Sequence, residues 1–179
     1  MLNQRYQIFV SSTYEDLRDE RREILDTILQ MGHFPTGMEH LPASGQMPWE
    51  IIKHMIDDCD YYVLVIAGRY GSMTEGDISY TEREYNYAME IGKHILRFPH
   101  AAPEELPANR VEPQASMKRK LDAFRKEATS QGSFKTWKSA TDLKLIVTQG
   151  LSYAFSGSTH YLGGWVESAG MLVSTGGCV

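Results

Sequence analysis

The chain has 179 residues, enough for one domain with a packed core and too few for two of average size. Apolar residues make up 42% and charged residues 23%, which excludes a wholly disordered chain. The formal net charge is -5 and the Lys and Arg residues are scattered, so there is no basic footprint for a nucleic-acid backbone.

No apolar run approaches the roughly 20 residues of a membrane span, and the start, Met1 to Arg5, lacks the apolar core of a signal peptide. Cys59 and Cys178 stand far apart, and no Cys/His spacing suits zinc. The expectation is a cytoplasmic protein with free thiols and no metal, with neither nucleic acid nor membrane as partner.

In chain order, Tyr6 to Val10 is a short β-prone run, and Ser11-Ser12-Thr13 follow as candidate caps for a helix beginning near Tyr14 or Glu15. From Asp16 to Met31, Leu17, Ile24, Leu25, Ile28 and Leu29 recur at helical spacing, and Arg18, Asp19, Arg21, Arg22 and Glu23 supply a solvated face. Gly32 ends that helix. Phe34 to Leu41 reads as a second strand and Pro42 to Gly45 as a loop, before a helix from Trp49 to Ile56. Tyr61 to Ala67 is a nearly unbroken apolar run, the pattern of a strand buried on both faces.

Gly68 to Asp77 is a loop, Ser79 a cap, and Tyr80 to Ile91 a helix ended by Gly92, with His94 to Phe98 a fourth strand. The segment from Pro99 to Pro113 has four prolines and no periodicity, and reads as a surface excursion. Met117 to Ala128 is a polar helix, Phe134 to Trp137 a short edge strand, and Ala140 to Phe155 a closing helix. Strands alternating with helices predict an α/β, flavodoxin-like three-layer sandwich around a parallel sheet of four to five strands. The domain is expected over residues 1–155, with 156–179 a Gly-rich tail or linker.

Open parallel sheets bind ligands beyond the carboxyl ends of their strands. Two loops there are conspicuous. Ser11, Ser12, Thr13 and Tyr14 offer hydroxyls and backbone N–H groups suited to phosphate or ribose, although the same hydroxyls could simply cap the helix. Arg69, Tyr70, Gly71 and Ser72 follow the central strand, where a guanidinium could pair with a phosphate and a phenol could stack on a base, or form a plain tight turn.

Glu84 is the most pointed residue. Tyr80, Glu84, Tyr87, Ala88 and Ile91 fall on one helical stripe, which places a carboxylate on an apolar face. Glu82 shares its side with Asn86, Glu90 and Lys93, a solvated face. A buried carboxylate is costly unless it is paired or functional, whereas an acid in the first turn of a helix can also serve the macrodipole at the rim of the core.

The segments IFVSSTYEDLRDERREI, FPTGMEHLPAS with Trp49, DYYVLVIAGRYGS, ISYTEREYNYAMEIGK and HILRF closely resemble a bacterial TIR-like domain family of unknown function. That family occurs at the N-terminus of large ATPase-type defence and signalling proteins. Residues 84–93 also resemble the "E-x-G-Y-A-x-A-x-G-K" segment of nucleoside deoxyribosyltransferases, departing from it at Asn86 and Glu90. TIR domains that cleave NAD carry their catalytic Glu in the corresponding helix.

These resemblances imply a nucleotide-processing domain with Glu84 catalytic, NAD as substrate and no required cofactor. Ser11, Ser12, Tyr14, Arg69, Tyr70, Gly71 and Ser72 would then hold the substrate, and Trp49 or Tyr80 would wall the pocket. They further imply bacterial anti-phage defence, self-association, and fusion to an ATPase or sensor. The alternatives are a non-catalytic nucleotide-binding or self-association module and a deoxyribosyltransferase acting on free nucleosides.

Overall fold

The structure is a computed structural model and describes residues 4–38 and 49–157. The expected end of the second strand at Leu41, the loop Pro42 to Gly45, and the tail from residue 158 onward lie outside the described residues. Four parallel strands form the sheet: β1 (Gln7–Ser11), β2 (Phe34–Thr36), β3 (Tyr61–Ile66) and β4 (His94–Pro99), in the order β2-β1-β3-β4. Two clusters of buried apolar side chains cover its faces, as alternating residues of each strand require.

On one face Ile8, Val10, Tyr61, Val63, Val65 and Phe98 meet α1 (Arg18–Gln30) and α5 (Ala140–Gly157) through Ile24, Ile28, Leu143, Val147 and Leu151. On the other, Phe9, Tyr62, Leu64 and Ile66 meet α2 (Trp49–Asp58), α3 (Tyr80–Glu90) and α4 (Ala115–Ser130) through Ile52, Ile56, Tyr85, Ala88, Leu121 and Phe124. The expected α/β three-layer architecture is therefore the one observed. All six residues of β3 are buried, as its unbroken apolar run predicts. Cys59 is a buried free thiol that desolvation pushes up to about 12, so it is chemically quiet.

Several local expectations are corrected. The first helix begins at Arg18 rather than Tyr14 or Glu15, with Leu17 at its N-cap and no side-chain cap bond, so Ser11, Ser12 and Thr13 do not cap it. Arg21 does not belong to a solvated face: it folds back into the core and donates to Val10 O at 3.3 Å and to Ser12 Oγ at 2.8 Å. Leu29, expected on the apolar stripe, is exposed.

Phe34 starts a strand that pairs over only three residues, Gln7↔Phe34 to Phe9↔Thr36. The expected edge strand at Phe134 to Trp137 is reduced to two isolated bridges, Arg97↔Phe134 and His100↔Trp137. The last helix runs on through Ser156 and Gly157.

The 99–113 excursion is not a loose loop. It contains two 3-10 turns, Pro103–Glu105 and Ala108–Arg110, and it packs directly on the loop after β3. Glu112 N–H donates to Gly68 O at 2.7 Å, and a Cβ on Gly68 would sit 2.3 Å from the Arg110 carbonyl. Only a glycine at 68 lets the two backbones approach that closely.

Candidate functional site

Beyond the carboxyl ends of β1 and β3 lies a cavity of about 570 Å³, inside the range of roughly 300–1,000 Å³ that small-molecule sites occupy. Its walls come from the β1–α1 loop, the loop after β3, the start of α3, Ile52 and Met55 of α2, and Glu112, Gln114 and Met117. The parallel order and the crossovers bring these segments to one edge.

Glu84 stands in this wall. Ser79 begins α3 by accepting Glu82 N–H at 3.2 Å, which sets the helix phase. The face turned into the core is Thr81, Tyr85 and Ala88, while Ile91 is exposed, so the inward stripe lies about one residue away from the one expected. Tyr85 causes the offset by packing edge-on against Phe124 of α4, with ring centroids 5.5 Å apart. Glu84 is consequently half-buried at the rim and faces the cavity.

Its carboxylate is held from the sheet. Ser11, the last residue of β1, shares the face of Phe9, and its hydroxyl donates to Glu84 Oε2 at 2.5 Å. This is a charge-assisted bond that fixes the carboxylate on the strand end. The Tyr62 phenol is fully buried beside the pair and completes no hydrogen bond among the described residues. Burial first, and then the Glu84 charge, hold it well above the ordinary tyrosine range, with the Ser11 hydroxyl pulling weakly the other way.

Of the residues that sequence singles out, Ser12, Tyr14, Arg69, Gly71, Ser72 and Tyr80 line the cavity with Glu84. Gly71, at φ +91°, presses on Thr13, whose Cγ2 would lie 2.8 Å from a Cβ at position 71; this joins the two loops. Ser12 is largely engaged in accepting Arg21 and in donating to Thr13 O at 2.8 Å.

Tyr70 and Trp49 are elsewhere. The Tyr70 side chain is buried in the core and its hydroxyl donates to Glu82; burial first, and then that bond, push it up to about 12, and it is not placed to stack on a ligand. Glu82 is thereby a partner within the fold rather than a member of a free solvated face. Trp49 leaves the cavity and packs under the Arg83 guanidinium, 4.0 Å from its ring centroid, and edge-on to Tyr87.

Sequence reasoning passed over Asp16, Arg21 and Glu112, all in the cavity wall beside Thr13 of the expected loop. Asp16 is 4% exposed, and neither carboxylate oxygen has a hydrogen-bond partner among the described residues. Burial is the main cause that raises its pKa, partly offset by Thr13, its own backbone N–H, Arg110 and Arg69. No spacing signal marks it, because an acid beside a helix start reads as a macrodipole residue. Among the described residues, no cluster of His, Cys, Asp and Glu could hold a metal, and no helix is long and apolar enough to cross a membrane.

A family model described as a domain of unknown function (DUF4062) matches residues 7–152. No curated protein sequence matches the chain. The TIR domains of the activated Roq1 resistosome share 14% identity over 84% of this chain and 99% of theirs, with a TM-score of 0.54. A CMP N-glycosidase from Clostridium botulinum aligns at 13% identity over 83% of this chain and 98% of its own, with a TM-score of 0.47. A flavoprotein from Thermotoga maritima aligns at 14% identity over 87% of this chain and 36% of its own, with a TM-score of 0.45. At these identities the likeness concerns the fold, which is that of TIR domains.

Proposed function

The chain belongs to the DUF4062 family, a domain whose description assigns no function, and we propose that it cleaves the N-glycosidic bond of a nucleotide bound in the edge cavity, with NAD as substrate. The observation that carries this reading is the Glu84 carboxylate, pinned by Ser11 at 2.5 Å on the wall of a cavity of about 570 Å³ at the carboxyl edge of the sheet. A fixed carboxylate in a nucleotide-sized hollow is the equipment that heterolysis at an anomeric carbon needs.

In this mechanism nicotinamide departs with the electrons of the C1′–N bond and leaves an oxocarbenium-like ribose. Glu84 stabilises that positive charge or captures it as a glycosyl ester, and water then attacks C1′ and releases ADP-ribose and a proton. Ser11 keeps the carboxylate aimed without taking part in bond changes. Arg69 and the Gly71–Ser72 backbone are the phosphate-side candidates, and Tyr14 and Tyr80 offer aromatic walls. Loss of NAD is a drastic cellular event, which suits the defence setting that the family resemblance implies.

The test is to incubate the purified protein, dilute and concentrated, with NAD, with ribonucleotides, and with pairs of free deoxynucleosides and bases, and to resolve the products. Nicotinamide and ADP-ribose in equal amounts are expected. Deoxyribosyl exchange between bases would mark a transferase instead, and no turnover at any concentration would overturn the enzymatic reading in favour of a binding module.

A further inference from the structure

A mismatch of buried polar groups stands at the foot of the cavity wall. Both Asp16 oxygens lack a hydrogen bond among the described residues, and so do Arg69 Nε and Arg110 Nε. Both arginines act on the Asp16 charge, so acceptors and donors are neighbours that do not meet. The guanidiniums are held away from it by other groups. Arg69 donates to Asn109 O at 2.9 Å and pairs with Glu15 at 3.5 Å, while Arg110 pairs with Glu20 at 2.6 Å. Thr13 and the Asp16 backbone N–H come near the carboxylate without reaching hydrogen-bond geometry.

Leaving such groups unpaired costs free energy, which a fold tolerates where a ligand completes them. The ligand group must donate to a carboxylate and accept from a guanidinium N–H. A phosphate only accepts and would be repelled by Asp16, and an ammonium only donates and would be repelled by the arginines. Hydroxyls do both, and a pair of adjacent hydroxyls can meet the two carboxylate oxygens together.

We propose that Asp16 is the acceptor for the vicinal hydroxyls of a ribose seated in this cavity, and that it selects ribosyl over 2-deoxyribosyl ligands. The inference rests on the glycosidic reading of the cavity and deepens it, because Asp16 and Glu84 line the same wall. The diol would hold the sugar while its anomeric carbon faces Glu84.

Titration calorimetry of the whole chain with ribose 5-phosphate and with 2-deoxyribose 5-phosphate tests it. Neither probe has a glycosidic bond, so the measurement is independent of turnover. Ribose 5-phosphate is expected to bind tighter by about tenfold or more, the worth of one hydrogen bond to a charged group. Asp16→Asn is expected to bring the two affinities together, and if that variant does not fold, the wild-type comparison alone decides.

Equal affinity for the two sugars, binding of neither at millimolar concentration, or a preference that survives in Asp16→Asn overturns the inference. In the first case ordered water alone satisfies Asp16. Nucleotide cleavage without sugar selection would sink this inference and leave the glycosidic reading standing. Sugar selection without cleavage of any nucleotide would do the reverse.

Discussion

At the amino end of the sheet, Tyr6 N–H donates to His33 Nδ1 at 3.2 Å, Gln7 N–H to Asp60 Oδ2 at 2.8 Å, and Lys93 Nζ to the Cys59 carbonyl at 2.7 Å. At the carboxyl end, Asp16, the Tyr62 hydroxyl and two arginine Nε groups are buried without a hydrogen-bond partner among the described residues. The amino end is further closed by Tyr6 stacked on Phe155 at 4.7 Å, with Tyr61 edge-on to both. One end of the molecule is finished as a core, and the other is left chemically unfinished. Folds give up stability in this way where a ligand is to be held, so the contrast supports the proposed site at the carboxyl end independently of any relative.

The strongest way to break the contrast is at Glu84. Glu84→Gln keeps the shape of the side chain and removes its charge, so turnover should fall by at least about a thousandfold with the melting temperature little changed. At the finished side, Leu151→Ala should do the opposite. Leu151 is fully buried between α5 and the sheet, and its loss should cost about 2–5 kcal/mol in denaturant unfolding while the folded fraction turns over normally.

Ser11→Ala should lower kcat by roughly tenfold to a hundredfold with a smaller change in KM, because a charge-assisted bond is worth about 1.5–3 kcal/mol and acts here on the reacting carboxylate. Gly68→Ala should cost about 1–3 kcal/mol and disturb activity as well, since its Cβ would collide with the Arg110 carbonyl and displace the segment that carries Glu112 into the cavity wall.

The smallest expected effect is one of pH. Burial raises the Asp16 pKa in the folded state above its ordinary 3.8. The stability linked to it is therefore fully present below the unfolded value and is lost as pH rises through the folded value. Asp16→Asn cannot ionise, so it should gain stability relative to wild type when unfolding is followed from acid to neutral pH.

The architecture was legible because it rests on strong local signals: the unbroken apolar β3, the periodic α1, and the Ser79 cap with Gly92 beyond α3. What misled sequence reading was where side chains reach. Ser11 and Ser12 have the composition of helix caps, yet their hydroxyls go to Glu84 and Arg21 because the helix starts at Arg18. Arg21 has the spacing of a solvated face, yet it bridges back to Val10. Tyr70 sits in a loop at the binding edge, yet its ring fills the core, and Trp49 is drawn away by Arg83. Asp16 is silent in sequence because only the missing partners make it unusual, and partners are a property of the folded chain.

The most direct test of the account is the rate of nicotinamide release from saturating NAD by wild type and by Glu84→Gln, both shown to be folded by their thermal transitions. Release by wild type and its loss in the variant is the predicted result. Equal release by both proteins would contradict the role of Glu84 and with it the glycosidic reading of the cavity.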